Sequence, residues 1–387
     1  MKIKSLLIGS AAAIVAAPAA FAADVIIAEP EPVEYVEVCD VAGAGYFYIP
    51  GSRTCIQLSG LVRHELSFVE TEDDLAFDGN GINSLVRGEL NIRTFTETEL
   101  GDLTSFIRFR ANDKNANPLA TVFNTEDGER NVEGASDNGA VFLNNATIGL
   151  GGLLMGLSDT LYDGSIAGEF DSFGGDRVHF IRYTADLGAF SASIGVEAER
   201  ENTSRLDYVP NVVGKVSGDL GAFSIDLFAA YDDEDDAGGI LTGLVDEDEF
   251  ALKAIAGVDI GAFAVDLGAT YNSGESYYDN GFEYSVGASA TIGLGEKASF
   301  TFGGQYFANA LEGTVAFEDS DGYSVGANVD YEIVDGFDVK LAVTYVDKDG
   351  VGDVDVFDAN NVLVETVRGS VDNDGFFTGF IRFDRSF

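Results

Sequence analysis

Apolar and polar residues alternate along several segments of the chain, and three of these segments share one design. In residues 223–231, 263–271 and 337–345 every second position is apolar, with an aromatic residue at each end of the apolar series. A period of two places these apolar residues on one face of a β-strand. The first two apolar series begin with Phe223, Ile225, Leu227 and with Phe263, Val265, Leu267. The intervening positions are mostly polar or small, so the pattern predicts strands with one apolar face.

The spacing of the two aromatic ends indicates where such strands lie. From Phe to Tyr is eight residues, which at ~3.3 Å per residue and a tilt near 40° covers about 20 Å of the membrane normal. An apolar band of this height between aromatic girdles is typical of the outside of a transmembrane β-barrel. A soluble sandwich also alternates, but its apolar face is not bounded by rings at a fixed spacing. Beyond the leader, no segment approaches the roughly 18 consecutive apolar residues of a membrane helix, so a closed barrel is the remaining spanning structure.

The connections between the alternating segments give the number of strands. Short turns are marked at 99–103, 149–152, 186–190, 219–223, 259–263, 293–297 and 334–337. Longer segments rich in Asp, Glu, Asn and Gly lie at 70–81, 112–138, 158–176, 200–208, 232–249, 272–281, 309–322 and 348–374. Seven turns and eight loops join sixteen strands, and an even number suits barrel closure. We therefore expect an all-β, antiparallel transmembrane barrel of about 16 strands over 56–387, with short periplasmic turns and long extracellular loops.

The start of the chain has the form of an export signal. Residues 1–22 combine a basic head, an apolar run and a final Ala20-Phe21-Ala22 of the small-x-small type, which predicts a cleaved signal peptide. The two cysteines, Cys39 and Cys55, then enter an oxidising compartment, and an isolated pair at this spacing favours one disulfide over two free thiols. Residues 23–55 are expected to form a periplasmic segment.

The charge balance excludes one class of partner. The chain has 66 acidic and 22 basic residues, a formal net charge of −44; loss of Lys2 and Lys4 with the leader changes it to −46. A chain so acidic repels phosphates, so we expect no nucleic-acid partner. Hydrophobic residues nevertheless make up 46% of the chain and glycine accounts for 47 residues, which indicates a folded protein with its acids concentrated in loops. Divalent cations could there bridge the loops to lipopolysaccharide.

Motifs for catalysis, metal binding or a cofactor are not recognised. The two histidines, His64 and His179, form no metal pair and lie in no motif of a serine hydrolase. Aspartates within 347–358 miss the spacing of a calcium loop. We therefore expect neither an enzyme, nor a dedicated metal site, nor a cofactor.

The N-terminal sequence carries a family resemblance. EPEPVEYVEVCD (29–40) and GAGYFYIPGSRTCIQLSGLVR (43–63) resemble the start of the general porin family of α-proteobacteria, and the resemblance extends over the mature chain to the terminal FIRFDRSF. It implies a Gram-negative outer-membrane protein: a homotrimer of water-filled diffusion pores, each narrowed by a long third loop folded into the barrel. Arg385 is a departure, because many outer-membrane proteins have an aromatic or aliphatic residue two places before the final Phe; an arginine can snorkel to the headgroups there.

Charged positions on the early strands suggest how such a pore would select solutes, since selectivity needs charged side chains at a constriction. Five arginines fall at positions opposite the aliphatic face of three consecutive predicted strands: Arg63, Arg87, Arg93, Arg108 and Arg110. They are predicted to line the lumen as a basic wall. The alternative is that they only pair with lumenal acids such as Glu65 and Glu89.

The third long segment, 158–176, is the candidate constriction loop. This segment contains no basic residue, several glycines and four candidate acids: Asp163, Glu169, Asp171 and Asp176. Acids on a loop facing arginines on a wall would set a transverse field across the pore. The alternative is an outer loop in solvent.

The sequence thus predicts an outer-membrane porin for passive diffusion of small hydrophilic solutes and ions, moderately selective for cations. Its expected partners are outer-membrane lipid, lipopolysaccharide and two further copies of itself. The alternative function is a non-conducting adhesin or structural anchor.

Overall fold

The computed structural model describes residues 37–71, 81–115, 139–199, 209–232, 249–312, 315–318, 320–357, 363–371 and 375–387. The predicted signal peptide and residues 23–36 of the predicted periplasmic segment lie outside these ranges. Residues from Val38 to Phe387 form one compact unit.

Strands make up nearly all the regular structure of that unit. In chain order they are β1 Phe47–Tyr48, β2 Cys55–Thr71, β3 Gly81–Thr96, β4 Leu103–Asn115, β5 Val141–Leu150, β6 Leu153–Asp159, β7 Arg177–Asp186, β8 Phe190–Glu199, β9 Asn211–Asp219, β10 Phe223–Asp232, β11 Glu249–Ile260, β12 Phe263–Asn272, β13 Phe282–Gly293, β14 Ala298–Glu312, β15 Val315–Phe317, β16 Gly322–Val334, β17 Phe337–Lys348, β18 Gly350–Phe357, β19 Leu363–Val371 and β20 Phe376–Ser386. A 3-10 turn spans Asp40–Ala42. None of the helical segments in the described ranges has the length and apolar character needed to span a membrane.

Sixteen strands close into one antiparallel barrel. From β2 to β14 each strand pairs with the next in the chain; the sheet then continues through β16, β17 and β20, and β20 pairs with β2. Closure pairs the backbone of every strand on both sides, which is the condition for a sheet to exist in lipid. The predicted all-β barrel of about 16 strands is confirmed.

The repeated sequence DLGAF builds tight turns between strands. Between β7 and β8 the Asp186 carboxylate accepts the Gly188 N–H at 2.8 Å, and between β9 and β10 Asp219 accepts the Gly221 N–H at 3.0 Å. Gly188 and Gly221 have φ of 86° and 84°, a left-handed conformation that favours glycine. All seven predicted short turns lie between consecutive barrel strands.

Two predicted loops contain strands. Segment 348–374 includes the hairpin β18–β19, and 309–322 includes the end of β14 together with β15. Val354 and Val356 alternate with Asp353 and Asp355, which is the period of two of a β-strand. The high Asp content of the segment indicates a loop instead, so the sequence does not predict these strands.

The two faces of the barrel strands follow the alternating pattern. Phe223 is 61% exposed and Leu227 46% exposed, whereas Phe228 on the opposite face of β10 is only 3% exposed. Phe263, Val265 and Leu267 are also exposed, and Ile225 is half-buried. The predicted outward face of β10 and β12 is therefore apolar and faces lipid.

Both ends of the unit are fixed to the barrel. Cys39 and Cys55 form the predicted disulfide, with a Cα–Cα distance of 5.9 Å and both residues buried. Phe387 exchanges two backbone hydrogen bonds with Gly60 of β2. The Arg385 guanidinium donates to the carbonyls of Gly336 (2.9 Å) and Asp335 (3.3 Å) at the turn between β16 and β17, which accounts for an arginine at this position.

Candidate functional site

Residues 160–176, here called the inner loop, connect β6 to β7 and lie against lumen-facing side chains of distant strands. At the start of the loop the Thr160 hydroxyl and the Leu161 N–H donate to the Glu197 carboxylate on β8, at 2.5 and 2.7 Å. Further along, the Ala167 N–H donates to Asp266 on β12 at 3.1 Å. Loop backbone groups must be paired when buried, and these lumenal side chains supply the partners.

The distal part of the inner loop is held in the same way. The Ser172 N–H donates to Gln305 on β14 at 2.7 Å, and the Thr344 hydroxyl on β17 donates to the Glu169 carbonyl at 2.9 Å. The inner loop thus lies along the lumen side of the wall from β8 to β17.

A buried lysine adds a further anchor. Lys253 on β11 is 3% exposed, and its ammonium donates to the carbonyls of Gly164 (3.2 Å) and Phe173. The same ammonium lies 4.3 Å from the centre of the Tyr162 ring. A buried cation needs such acceptors, so Lys253 fixes two points of the inner loop at once.

The five predicted arginines lie together on the lumen-facing side of β2, β3 and β4; we call them the arginine wall. Arg63 makes a two-bond ion pair with Asp384 on β20, at 2.8 and 2.9 Å. Arg110 donates to Glu89 at 2.7 Å. The other three contact Asn91, Asn112 and Phe106: Arg108 Nε to Asn91 2.9 Å, Arg87 Nε to Asn112 3.0 Å, and Arg93 over the Phe106 ring at 4.7 Å.

The alternative interpretation of the sequence is that these arginines only pair with acids in the lumen. Three arginines of the wall, Arg63, Arg108 and Arg110, do form ion pairs with acids. Glu89 serves both Arg110 and, at 3.5 Å, Arg108. Glu65 pairs instead with Arg382 on β20 at 2.7 Å. These ion pairs hold the guanidinium groups in fixed orientations.

The predicted loop acids occupy different environments. Glu169 contacts two cations, Lys340 on β17 at 2.5 Å and Arg382 at 3.8 Å. Asp171 accepts the N–H groups of Ile166 and Phe173, both at 3.1 Å. The Asp171 carboxylate therefore caps the backbone of its own loop.

Burial changes the acidity of two of these carboxyl groups. Desolvation raises the pKa of Asp171 to about 6, against the lowering effect of its two backbone hydrogen bonds. Burial also raises the pKa of Asp163, and the neighbouring Asp159 raises it further. Asp176 lies at the base of the loop, where its carbonyl accepts the Thr160 N–H at 2.9 Å.

Beneath the loop base the lumen wall contains a cavity of about 420 Å³. Its charged lining residues are Asp159, Asp163, Arg182 and Lys215. Five hydroxyl-bearing residues and two leucines also line it: Ser158, Thr160, Thr184, Ser193, Ser217, Leu154 and Leu161. Within the described ranges no group of three or more His, Cys, Asp and Glu side chains is placed to hold a metal ion.

Sequence reasoning missed Lys340, Arg382 and Lys253. Lys340 lies between Val339 and Leu341 and is thus at a lumen-facing position of an alternating strand; the same pattern that identified the arginine wall marks it. Lys340 and Arg382 form ion pairs with three acids and so build a chain of alternating charge on the lumen side: Glu65, Arg382, Glu169, Lys340 and Asp330.

Comparisons with known proteins agree with this architecture. A family model for a porin subfamily matches residues 24–365. The chain is similar to the porin Omp2b of Brucella neotomae, with 35% identity over 412 aligned positions that cover both chains completely. Its fold is similar to that of the outer membrane channel DcaP of Acinetobacter baumannii (TM-score 0.59, 16% identity, 88% of this chain and 99% of the other). It is also similar to the trimer form of OmpT of Vibrio cholerae (TM-score 0.54, 14% identity, 86% and 100%).

Proposed function

The chain belongs to the porin family of α-proteobacterial outer membranes, and on this premise we propose that it forms a water-filled channel for passive diffusion of small hydrophilic solutes and ions. The observation that carries the proposal is the contrast between the two faces of a closed Gram-negative outer-membrane barrel. The outward face is apolar. The inward face carries the arginine wall, the charge chain around Glu169 and buried amides and hydroxyls such as Asn328, Gln305 and Thr301.

A polar inner face gives hydrated solutes the hydrogen-bond partners that they lose on leaving bulk water. Selectivity then arises where charged groups approach the permeating solute most closely. We assign that constriction to the arginine wall (Arg63, Arg87, Arg93, Arg108, Arg110) on one side and to the inner loop with Asp163, Glu169, Asp171 and Asp176 on the other. The loop is held against the wall from β8 to β17, and the strands that carry the arginines form the opposing wall.

The ion preference of the channel combines two opposed effects. Nine acids fall within 232–249, most of them outside the described residues, and the mature chain has a formal charge of −46. This negative potential concentrates cations at the outer mouth, whereas the arginine wall opposes them at the constriction. Exposed charges are screened beyond ~8 Å at physiological salt. The channel is therefore moderately cation-selective, and its selectivity weakens as salt rises.

The protein acts as a homotrimer in contact with lipid and lipopolysaccharide. The family resemblance and the trimer form of a protein of similar fold support this assembly. The mass of the protein in mild detergent tests it: three times the chain mass is expected, and a monomeric mass contradicts it.

Solute uptake tests the channel itself. Purified protein in liposomes should make them swell in small sugars at a rate that falls with increasing solute size. Swelling no faster than that of protein-free liposomes would exclude diffusion and favour a structural anchor.

A further inference from the structure

Three apolar side chains of the inner loop are buried although they lie inside a polar barrel. Ile166, Phe170 and Phe173 are 3%, 4% and 1% exposed and form one cluster. Such side chains require a surface that excludes water. The lumen-facing wall beneath them must therefore provide room as well as apolar contact.

Four glycines provide that room. Gly268, Gly287, Gly303 and Gly326 occupy lumen-facing positions on the neighbouring strands β12, β13, β14 and β16. Gly268 lies directly opposite Gly287, and Gly303 directly opposite Gly326. Glycine weakens a strand, and its presence there often marks a close approach by another group. We call these four residues the glycine seat.

The distances show how closely the loop fits the glycine seat. A Cβ atom on Gly268 would lie 2.4 Å from the Phe173 ring, and one on Gly287 would lie 3.0 Å from Phe173 and 3.2 Å from Ile166. Non-bonded carbon atoms prefer a separation of about 3.5–4.0 Å. An alanine at Gly268 therefore requires the Phe173 ring to move by roughly 1 Å or more away from the wall.

The other half of the seat receives Phe170. A Cβ atom on Gly303 would lie 2.7 Å from the Phe170 ring, and one on Gly326 would lie 3.1 Å from the Phe170 Cβ. Added Cβ atoms at these two positions would also meet strand backbone, the Ala288 carbonyl at 2.2 Å and the Val343 carbonyl at 2.9 Å. Gly268 and Gly287 meet only loop side chains among their nearest atoms, so they are the positions that report on the loop alone.

We propose that the glycine seat determines the size limit of the channel by setting how deep the inner loop lies against the β12–β16 wall. The proposal rests on the proposed function, since it concerns the width of the same pore. Any residue larger than glycine at the seat displaces the loop toward the lumen axis and narrows the opening between the loop and the arginine wall. The seat thus acts on solute size, while the charged side chains act on solute charge.

The test compares Gly268→Ala and Gly287→Ala with a matched control. Gly88→Ala on β3 makes the same chemical change where an added Cβ meets no atom within 4 Å. The readouts are single-channel conductance and liposome swelling with arabinose, glucose, sucrose and raffinose, after circular dichroism has established that each variant is folded. Both seat variants should show lower conductance than the control and a greater loss of uptake for the larger sugars.

Removal of the opposing ring separates displacement of the loop from a general effect on the strand. In a Phe173→Ala background the methyl group of Gly268→Ala has space, so the double variant should conduct like Phe173→Ala alone. Conductance equal to or above the Gly88→Ala value in both seat variants would overturn the proposal. The proposal would also be overturned if Gly268→Ala lowered conductance equally in the wild-type background and in the Phe173→Ala background. Because the wild-type protein is measured in parallel, a conducting wild type with unchanged seat variants refutes only the seat, and a silent wild type refutes the channel.

Discussion

The Glu169 carboxylate lies 2.5 Å from the Lys340 ammonium, which joins the inner loop to a strand 171 positions later in the chain. Both side chains are largely shielded, with 11% and 29% of their side-chain surface exposed. Removal of one partner from such a pair leaves an uncompensated charge. Glu169 therefore holds the loop, and in the proposed channel it sets the charge that a permeating ion meets beside it.

Neutralisation of Glu169 should make the channel less cation-selective. Glu169→Gln leaves Lys340 and Arg382 without their shared carboxylate, so the local potential becomes more positive. The reversal potential in a KCl gradient should shift toward the anion side. Glu99→Gln, the same change at an exposed turn residue, is the control, and an equal shift in both variants would place the constriction elsewhere.

The arginine wall should have the opposite effect. Arg108→Gln and Arg110→Gln remove positive charge beside Glu89 and should shift the reversal potential toward cations. Arg385→Gln, at the exposed rim, makes the same chemical change away from the lumen and should leave the reversal potential unchanged. Reversal potentials unchanged by both Arg108→Gln and Arg110→Gln would show that permeating ions do not sense the wall.

The ion selectivity of the proposed channel should change in one step as the pH falls through about 6. Burial raises the pKa of Asp171 from its ordinary 3.8 to about 6, so the native loop binds a proton more tightly than the unfolded chain does. The resulting stabilisation is fully present below about pH 4 and is lost as pH rises through about 6. Protonation removes a negative charge from the loop.

Reversal potentials measured from pH 7.5 to 5 should therefore move toward the anion side with a midpoint near 6. Asp171→Asn, which carries no charge at either pH, should lack this step. A step of full size in Asp171→Asn would assign it to another group.

The two faces of β10 should respond differently to substitution. Leu227 faces lipid and is 46% exposed, so Leu227→Arg should lower the free energy of unfolding by about 2–4 kcal/mol at mid-bilayer depth. Asp226, on the lumen side, lies 3.6 Å from Lys215, and Asp226→Asn should have a small effect because a partly exposed ion pair contributes little. Urea titration in lipid vesicles measures both; equal losses would contradict the assignment of faces.

The barrel could be predicted because its determinants are local. Side-chain alternation identifies the lipid face of a strand such as β12 from ten consecutive residues, and Asp186 with Gly188 specifies a turn within three positions. The same local rule placed the arginine wall on the lumen side. The sequence does not predict the hairpin β18–β19, because the acidic composition of segment 348–374 is typical of a loop.

The details of the candidate site depend on the path of the inner loop, which no local pattern contains. The sequence predicts Glu169 as a candidate pore acid but does not predict its partner Lys340. It treated Asp171 like Glu169, because both are acids on one loop. Only the loop conformation shows that Asp171 accepts the N–H groups of residues 166 and 173. It also shows that the aromatic side chains of the inner loop pack against glycines on four strands.

Single-channel recording in planar lipid bilayers with asymmetric KCl tests the central claim most directly. The account predicts stepwise conductance and a reversal potential on the cation side that moves toward zero as the salt concentration on both sides is raised at a fixed ratio. Bilayers that remain silent at every concentration, with protein that is folded and inserted, would contradict it.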